Sequence, residues 1–382
     1  MVLACALVFM AQLATTVYLP SLPAVMHDFA VSRGCAELSI SMFVIGAAAP
    51  VVLWGRAADR YGRRGPLLCS LVLFVVSSAL LAVSGSPAAL LVLRTVQGVA
   101  AGGSAIVARI MVRDRWSGDE LARRLSVLSI AFISAMGGGQ FLGGLIARYS
   151  HWRTGFWVLA AIGAGAALLA LTVPFEPGRA ERSSGGTAGT RLGILRQPGF
   201  LRPACAGGLG FATVVMLQEV SPFVFQQRFG LDADAYGSVG LLLGLAYFSG
   251  AMAVNRLVGR VGAGRLMRAG ALVMTASAVL IAVLWSVAGL PPGAGLVLFA
   301  VLYCALTFGQ SVLFPSSTAT AVSSIGAERG TYAVALCGFL QQSMAGVAAA
   351  GAAVLHHNLA WASVAVALCG SAWLLVRGCA PR

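Results

Sequence analysis

Arg94 and Gln97 stand three residues apart in the apolar run Arg94-Thr-Val-Gln97-Gly98. Arg94 lies about seven residues, or ~10 Å, inside the expected outer boundary of a membrane span. A guanidinium at that depth is costly and needs a water-filled cavity or a fixed partner. Gln97 shares its helical face, and Gln12 and Thr15 in the first apolar segment are the other candidate partners. The plainer alternative is an arginine that snorkels to the surface. Glu219 is the one acid deep in an apolar stretch, about nine residues, or ~14 Å, from the end of its span near Arg228. Burial disfavours a charged carboxylate, which suits it to exchanging protons near neutral pH. Pro222 and Gln226 share the Glu219 face, and the proline can open the helix beside the acid. A neutral, hydrogen-bonded structural acid, or an acid in an outer vestibule, is the alternative. A third cluster is Gly55-Arg-Ala-Ala-Asp59-Arg60-Tyr-Gly62-Arg63-Arg64. Gly62 permits a tight turn, and Asp59 can pair with an arginine to hold two helices together, with Arg113 the expected partner. The same arginines also read as simple topological charge.

Polar residues on plausible cavity faces are Gln12, Thr15, Thr16, Gln97, Gln310 and Gln341, with Phe223 a candidate aromatic floor. Each has a plain alternative as a helix-to-helix hydrogen bond or as core packing. Gly139, Gly143 and Gly144 suit close helix contact. The eight cysteines include no C-x-x-C pair, and His27, His151, His356 and His357 form no cluster with other ligands. Neither a metal site nor an enzyme's nucleophile and base is legible.

The elements that carry these residues are membrane spans. Of the 382 residues 59% are apolar and 10% charged, which leaves too little polar surface to cover a soluble globule. Apolar stretches run over 2–26, 36–58, 66–84, 88–112, 121–147 and 153–173, then over 200–228, 235–258, 265–288, 294–320, 329–355 and 357–377. Apolar residues begin at Val2 without a basic segment before them, as expected of a retained first span. A Pro-, Ser- and Gly-containing linker, 174–199, divides a bundle at 1–173 from a bundle at 200–382. The fold class is therefore all-α, with twelve membrane helices in two six-helix bundles.

All 26 basic residues are arginine, and 21 fall on the side of the linker and tail against four on the other. Basic residues are retained on the cytoplasmic side, which predicts both termini inside. The net charge of +14 is thus topological, and no basic–aromatic module for nucleic acid is present. Arg56, Arg60 and Gly62 recur 200 residues later as Arg256, Arg260 and Gly262, with Gly259 in place of Asp59. Two parallel repeats are the pattern of a carrier whose halves move about a midplane site.

The loop at Gly55–Arg64 resembles the major facilitator superfamily signature G-x-L-A-D-R-x-G-R-R. Arg94-x-x-Gln97-Gly98 followed by Ala108-Arg109-x-x-Val112-Arg113-Asp114 is similar to the bicyclomycin- and chloramphenicol-resistance branch, the Bcr/CflA type. Tyr18-Leu-Pro20-Ser-Leu-Pro23, Trp152-Arg153, Ser221-Pro222-Phe223-Val224 and Gly330-Thr331-Tyr332-Ala333 extend that resemblance along the chain. It implies a multi-pass protein of the bacterial inner membrane that exports a small, moderately apolar molecule (drug, antibiotic or siderophore) by proton antiport and alternating access. It implies no cofactor beyond the proton gradient and no obligatory protein partner. Within this frame Arg94 would carry proton coupling together with Glu219, which is read from its depth and stands where the branch more often has a small residue. Asp59, Arg60, Gly62, Arg63, Arg64 and Arg113 would form the cytoplasmic gate. Two positions depart from the branch pattern: Thr16 stands where an aspartate is usual, and Gln140 replaces the proline of G-P-x-x-G-G. Thr16 motivates an alternative, an uncoupled or uptake-type carrier of a small metabolite.

Overall fold

The computed structural model describes residues 1–116, 118–173, 193–286, 291–325, 330–353 and 360–378. The expected linker lies outside the described residues up to 192. Among the described residues the chain is all-helical, without a strand. The helices are α1 (Val2–Thr16), α2 (Leu22–Asp28), α3 (Arg33–Ala48), α4 (Val51–Tyr61), α5 (Arg64–Ala82), α6 (Pro87–Arg115), α7 (Gly118–Tyr149) and α8 (Trp152–Thr172), followed by α9 (Pro198–Phe223), α10 (Ala233–Val261), α11 (Ala263–Ser286), α12 (Pro292–Ser323), α13 (Gly330–Ala353) and α14 (Ala360–Arg377). Eleven helical segments among the described residues are long and apolar enough to cross a membrane. The stretch expected at 329–355 holds the 24-residue helix α13, which carries no charged residue.

Prolines explain the broken spans. Pro20 and Pro23 lack the N–H a continuous helix needs, so the first span passes from α1 through a 3₁₀ turn at Leu19–Ser21 into α2. Pro50 separates α3 from α4 in the second span in the same way. In α9, Pro222 is followed by a π-helical turn at Val224–Arg228. Gly62 and Gly262 end α4 and α10 with φ of +80° and +85°, so both copies of the repeated loop turn alike.

Two compact units result. The first comprises Met1–Arg182 with Gly230–Gly244, and the second Ser183–Phe229 with Leu245–Arg382. The first part of α10 thus packs within the first unit, where Gly237 and Gly240 meet Gly144 and Gln140 of α7 too closely for a Cβ. In the same unit α3 and α6 approach through glycines. A Cβ on Gly46 would stand 2.3 Å from the Thr95 carbonyl oxygen, and one on Gly98 2.1 Å from that of Phe43. That approach brings α3 against the face of α6 that carries Arg94.

Candidate functional site

In the first unit Arg94 is fully buried, at 0% exposure. Its Nη1 donates to the Ala14 carbonyl at 3.0 Å and to Gln97 Oε1 at 2.7 Å, and its Nε donates to the Ser39 carbonyl at 3.4 Å. Gln97 passes the interaction on by donating to Ser78 Oγ at 2.8 Å, and Ser78 donates to the Phe74 carbonyl. The guanidinium lies over the rings of Phe43, Tyr18 and Phe156, with centroids at 4.5, 4.8 and 5.8 Å. Each ring offers its negative face to the cation and shields it from the surroundings. Nη2 alone has no hydrogen-bond partner. Arg94 is therefore caged rather than snorkelling. The expected bond to Gln97 is present, whereas α1 is met through its Ala14 backbone rather than through Gln12 or Thr15. A planar fork that is always charged can bridge two helix backbones and a side chain at once, which an ammonium does poorly.

Tyr18 and Phe156 belong to the Y-L-P and W-R-x-x-F segments, so two motifs far apart in sequence meet at Arg94. The remainder of the second motif ties the end of α2 to the turn after α5. Trp152 Nε1 and Arg153 Nη1 both donate to Asp28 Oδ2, at 2.9 and 2.6 Å, and Arg153 Nη2 donates to the Ser84 carbonyl at 3.1 Å.

At the arginine-rich end of the first unit the hub is Arg63. Its Nε donates to Asp114 Oδ2 at 2.7 Å, its Nη1 donates to the Ala58 carbonyl at 3.1 Å, and its side chain is 9% exposed. Asp59, by contrast, is 68% exposed and faces Arg63 at 3.7 Å, not the expected Arg113. Arg113 instead lies 3.7 Å from Asp114. The reason is helical geometry: Asp59 precedes Arg63 by one turn at the exposed end of α4, while Asp114 comes from α6, across the contact that Arg63 seals. Arg60 and Arg64 are exposed, Arg60 stacking on Tyr61 and Arg64 reaching the Leu171 carbonyl at 3.5 Å. Asp114 is the residue missed from sequence, although it closes the segment Ala108-Arg-x-x-Val-Arg-Asp114.

Thr16 is buried and donates to the Ala135 carbonyl of α7 at 2.8 Å. It lies against Gly139, and Gly143 lies against the Val17 backbone, so these glycines join α1 to α7. Gly144 instead faces Ala233 and Gly237. Gln140, in the proline's place, donates to the Tyr236 carbonyl at 3.2 Å. Arg148 and Asp234 form an ion pair on the same seam.

The second unit holds Glu219, 1% exposed on α9. Pro222 has no N–H for the Gln218 carbonyl next to it, and the Ser221 hydroxyl donates there instead at 3.3 Å. Tyr303 of α12 shares a hydrogen bond with Ser221. Phe223, on the same helix, is also buried. Gln341 Nε2 donates to Thr318 Oγ1 at 3.3 Å and to Ser317 Oγ at 3.4 Å. In the amide orientation that satisfies both neighbours, Gln310 donates to the Gly210 carbonyl at 3.3 Å and accepts from the Phe211 N–H at 3.2 Å. Both glutamines, expected on a cavity face, tie helices together within the unit, Gln310 to α9 and Gln341 to α12. Gln12 is half-buried, and Thr15 is buried.

Residues 4–350 match the sequence profile of the Major Facilitator Superfamily. The chain belongs to that superfamily. It is similar to the uncharacterized MFS-type transporter YdgK of Bacillus subtilis (strain 168), at 30% identity over 69% of this chain and 67% of that protein. A bicyclomycin resistance protein homologue of Haemophilus influenzae matches at 24% identity over 66% of this chain and 64% of its own length. The multidrug resistance protein MdtL of Klebsiella pneumoniae matches at 27% identity over 63% and 62%. The matches thus span about two thirds or slightly less of these relatives. These relatives agree with the Bcr/CflA-type branch. The crystal structure of a D-xylose–proton symporter shares the fold, with a TM-score of 0.80 at 18% identity over 100% of this chain and 97% of that one. As a superfamily member the protein is a multi-pass membrane transporter, and its family and structural neighbours are transporters rather than enzymes.

Proposed function

We propose that this superfamily member exports a small, moderately apolar molecule, a drug, antibiotic or siderophore, across the bacterial inner membrane in exchange for protons. Transport proceeds by alternating access, with both termini in the cytoplasm and the proton gradient as the energy source in place of a cofactor. Neither nucleic acid nor an obligatory protein partner has a role in it. The names of the relatives support the substrate class, and the 21-to-4 division of arginines supports the orientation.

The observation that carries proton coupling is Glu219, buried in a span beside a proline-freed carbonyl. Protonation lets a carboxylate reside in such a setting, and deprotonation favours an open, hydrated arrangement, so the two forms bias different conformations. Arg94 holds α1, α3 and α6 in register and does not itself release a proton. Arg63 and Asp114, with Asp59 at their edge, close the cytoplasmic end of the first unit. The second reading, an uncoupled carrier, rests on Thr16: a hydroxyl donating to Ala135 offers no titratable group at that place.

Inverted vesicles containing the protein separate the two readings. Labelled bicyclomycin is expected to accumulate when the vesicle interior is acidified, and a protonophore should collapse that accumulation. Equilibration to equal concentrations, unmoved by the protonophore, would establish the uncoupled reading.

A further inference from the structure

The turn between α10 and α11 repeats the arginine-rich loop of the first unit with its ion pairs removed. Arg256, Arg260 and the positive-φ Gly262 are retained, but Gly259 replaces Asp59 and Ala263 replaces Arg63. Arg63, the hub of the clasp, and its neighbour Asp59 therefore both have uncharged counterparts, while the turn and two arginines persist. Arg265 and Arg268 follow in the first turns of α11. From Asp234 to Glu328 the intervening sequence contains these four arginines and no acid. Arg256, Arg260 and Arg265 are exposed, and none of the four is ion-paired among the described residues. Arg268 is half-buried and donates to the Gly264 carbonyl at 3.4 Å. Cations gathered at one turn repel each other unless an anion settles among them.

The apolar surroundings separate a lipid from a soluble anion. Leu257 and Val258, next to Arg256, are 40% and 39% exposed. Leu272, Val279, Leu280 and Val283 form an exposed stripe along α11. Leu272 follows Arg265 by seven residues and Arg268 by four, so the stripe continues the face that carries these cations. A phosphodiester held by the arginines lays its acyl chains along this stripe, whereas a free phosphate gains nothing from it.

We propose that the α10–α11 turn binds the headgroup of an anionic phospholipid, phosphatidylglycerol being the simplest, through Arg256, Arg260 and Arg265. Arginine forks match phosphate oxygens, and basic clusters at a membrane boundary attract anionic headgroups. Binding at this turn is independent of what the protein transports and of how transport is energised.

Native mass spectrometry of the full-length protein in detergent, titrated with phosphatidylglycerol or phosphatidylcholine, tests the site. The wild type is expected to retain phosphatidylglycerol over phosphatidylcholine. The triple variant R256Q/R260Q/R265Q should weaken phosphatidylglycerol binding at least about tenfold. The corresponding lysine triple, which keeps the charge and the fold but not the fork, should recover part of it. A matched control, R56Q/R115Q/R196Q, removes equal charge elsewhere and should change binding less than about twofold. Equal loss in both glutamine triples, or undiminished binding in the test triple, would overturn the assignment. Displacement of the lipid by millimolar glycerol phosphate would show a soluble-phosphate site and would equally overturn it.

Discussion

At the scale of single residues, Arg94 is worth most to the first unit as a cross-brace. It joins the Ala14 and Ser39 backbones to Gln97 inside a ring of Phe43, Tyr18 and Phe156. Arg94→Ala leaves buried acceptors without a donor, at about 1–3 kcal/mol each, so the detergent-purified protein should melt several degrees lower. Arg94→Lys should fall between, since it keeps the charge but loses the fork and the stacking. Arg115→Ala, at the exposed end of α6, should leave the melting temperature unchanged; equal, mild effects in all three variants would contradict the brace. The Arg94–Gln97 contact was legible because residues three apart share a helical face. The aromatic cage was not, because Tyr18, Phe43 and Phe156 come from three spans whose mutual approach no local periodicity encodes. Asp59 illustrates the opposite error. An acid inside a basic loop attracts attention, yet Arg63 turns inward to Asp114 and leaves Asp59 exposed. Asp114→Asn should therefore impair transport and lower stability by about 1 kcal/mol or more, between the exposed-pair and buried-pair limits. Asp59→Asn should cost less in both assays; the reverse order would return the gate to Asp59.

At the scale of elements, glycines set how closely the helices approach. A Cβ on Gly143 would stand 2.2 Å from the Val17 carbonyl oxygen, and backbone has little room to yield. Gly143→Ala should therefore destabilise the protein by about 1–3 kcal/mol, the usual range for overpacking. Gly55→Ala, with nothing within 4 Å of the new methyl, should leave the melting temperature within error or raise it slightly. A neutral Gly143→Ala in thermal unfolding would contradict the close seating of α1 on α7. The need for small residues at Gly139, Gly143 and Gly144 was legible in the sequence, but their partners were not: Gly139 and Gly143 serve α1, and Gly144 serves α10. Gln140 shows why. A missing proline reads as a lost kink, and only the packing of α7 against Tyr236 and Gly240 reveals that its amide found a carbonyl there.

At the scale of the whole molecule, the apolar runs and the arginine asymmetry already indicated a polytopic helical membrane protein, and the loop and helix motifs carried its resemblance to the superfamily. Apolar length and charge placement act locally and are written directly in the chain. A reporter enzyme fused at Gly85, between α5 and α6, should report the external side and one at Ser184 the cytoplasmic side; a cytoplasmic signal at Gly85 would contradict the topology. The roles of the buried polar residues were less legible. Gln310 and Gln341 look like cavity residues in sequence, yet each is spent on contacts between helices of the second unit. That leaves Glu219 as the group on which the proposed proton coupling rests. The most direct measurement compares wild type and Glu219→Gln in proteoliposomes, following bicyclomycin both down its own gradient and against it under an imposed pH gradient. Glutamine mimics the protonated acid, so the variant should retain downhill exchange and lose uphill accumulation. A variant that still accumulates substrate against its gradient with wild-type pH dependence would contradict the account.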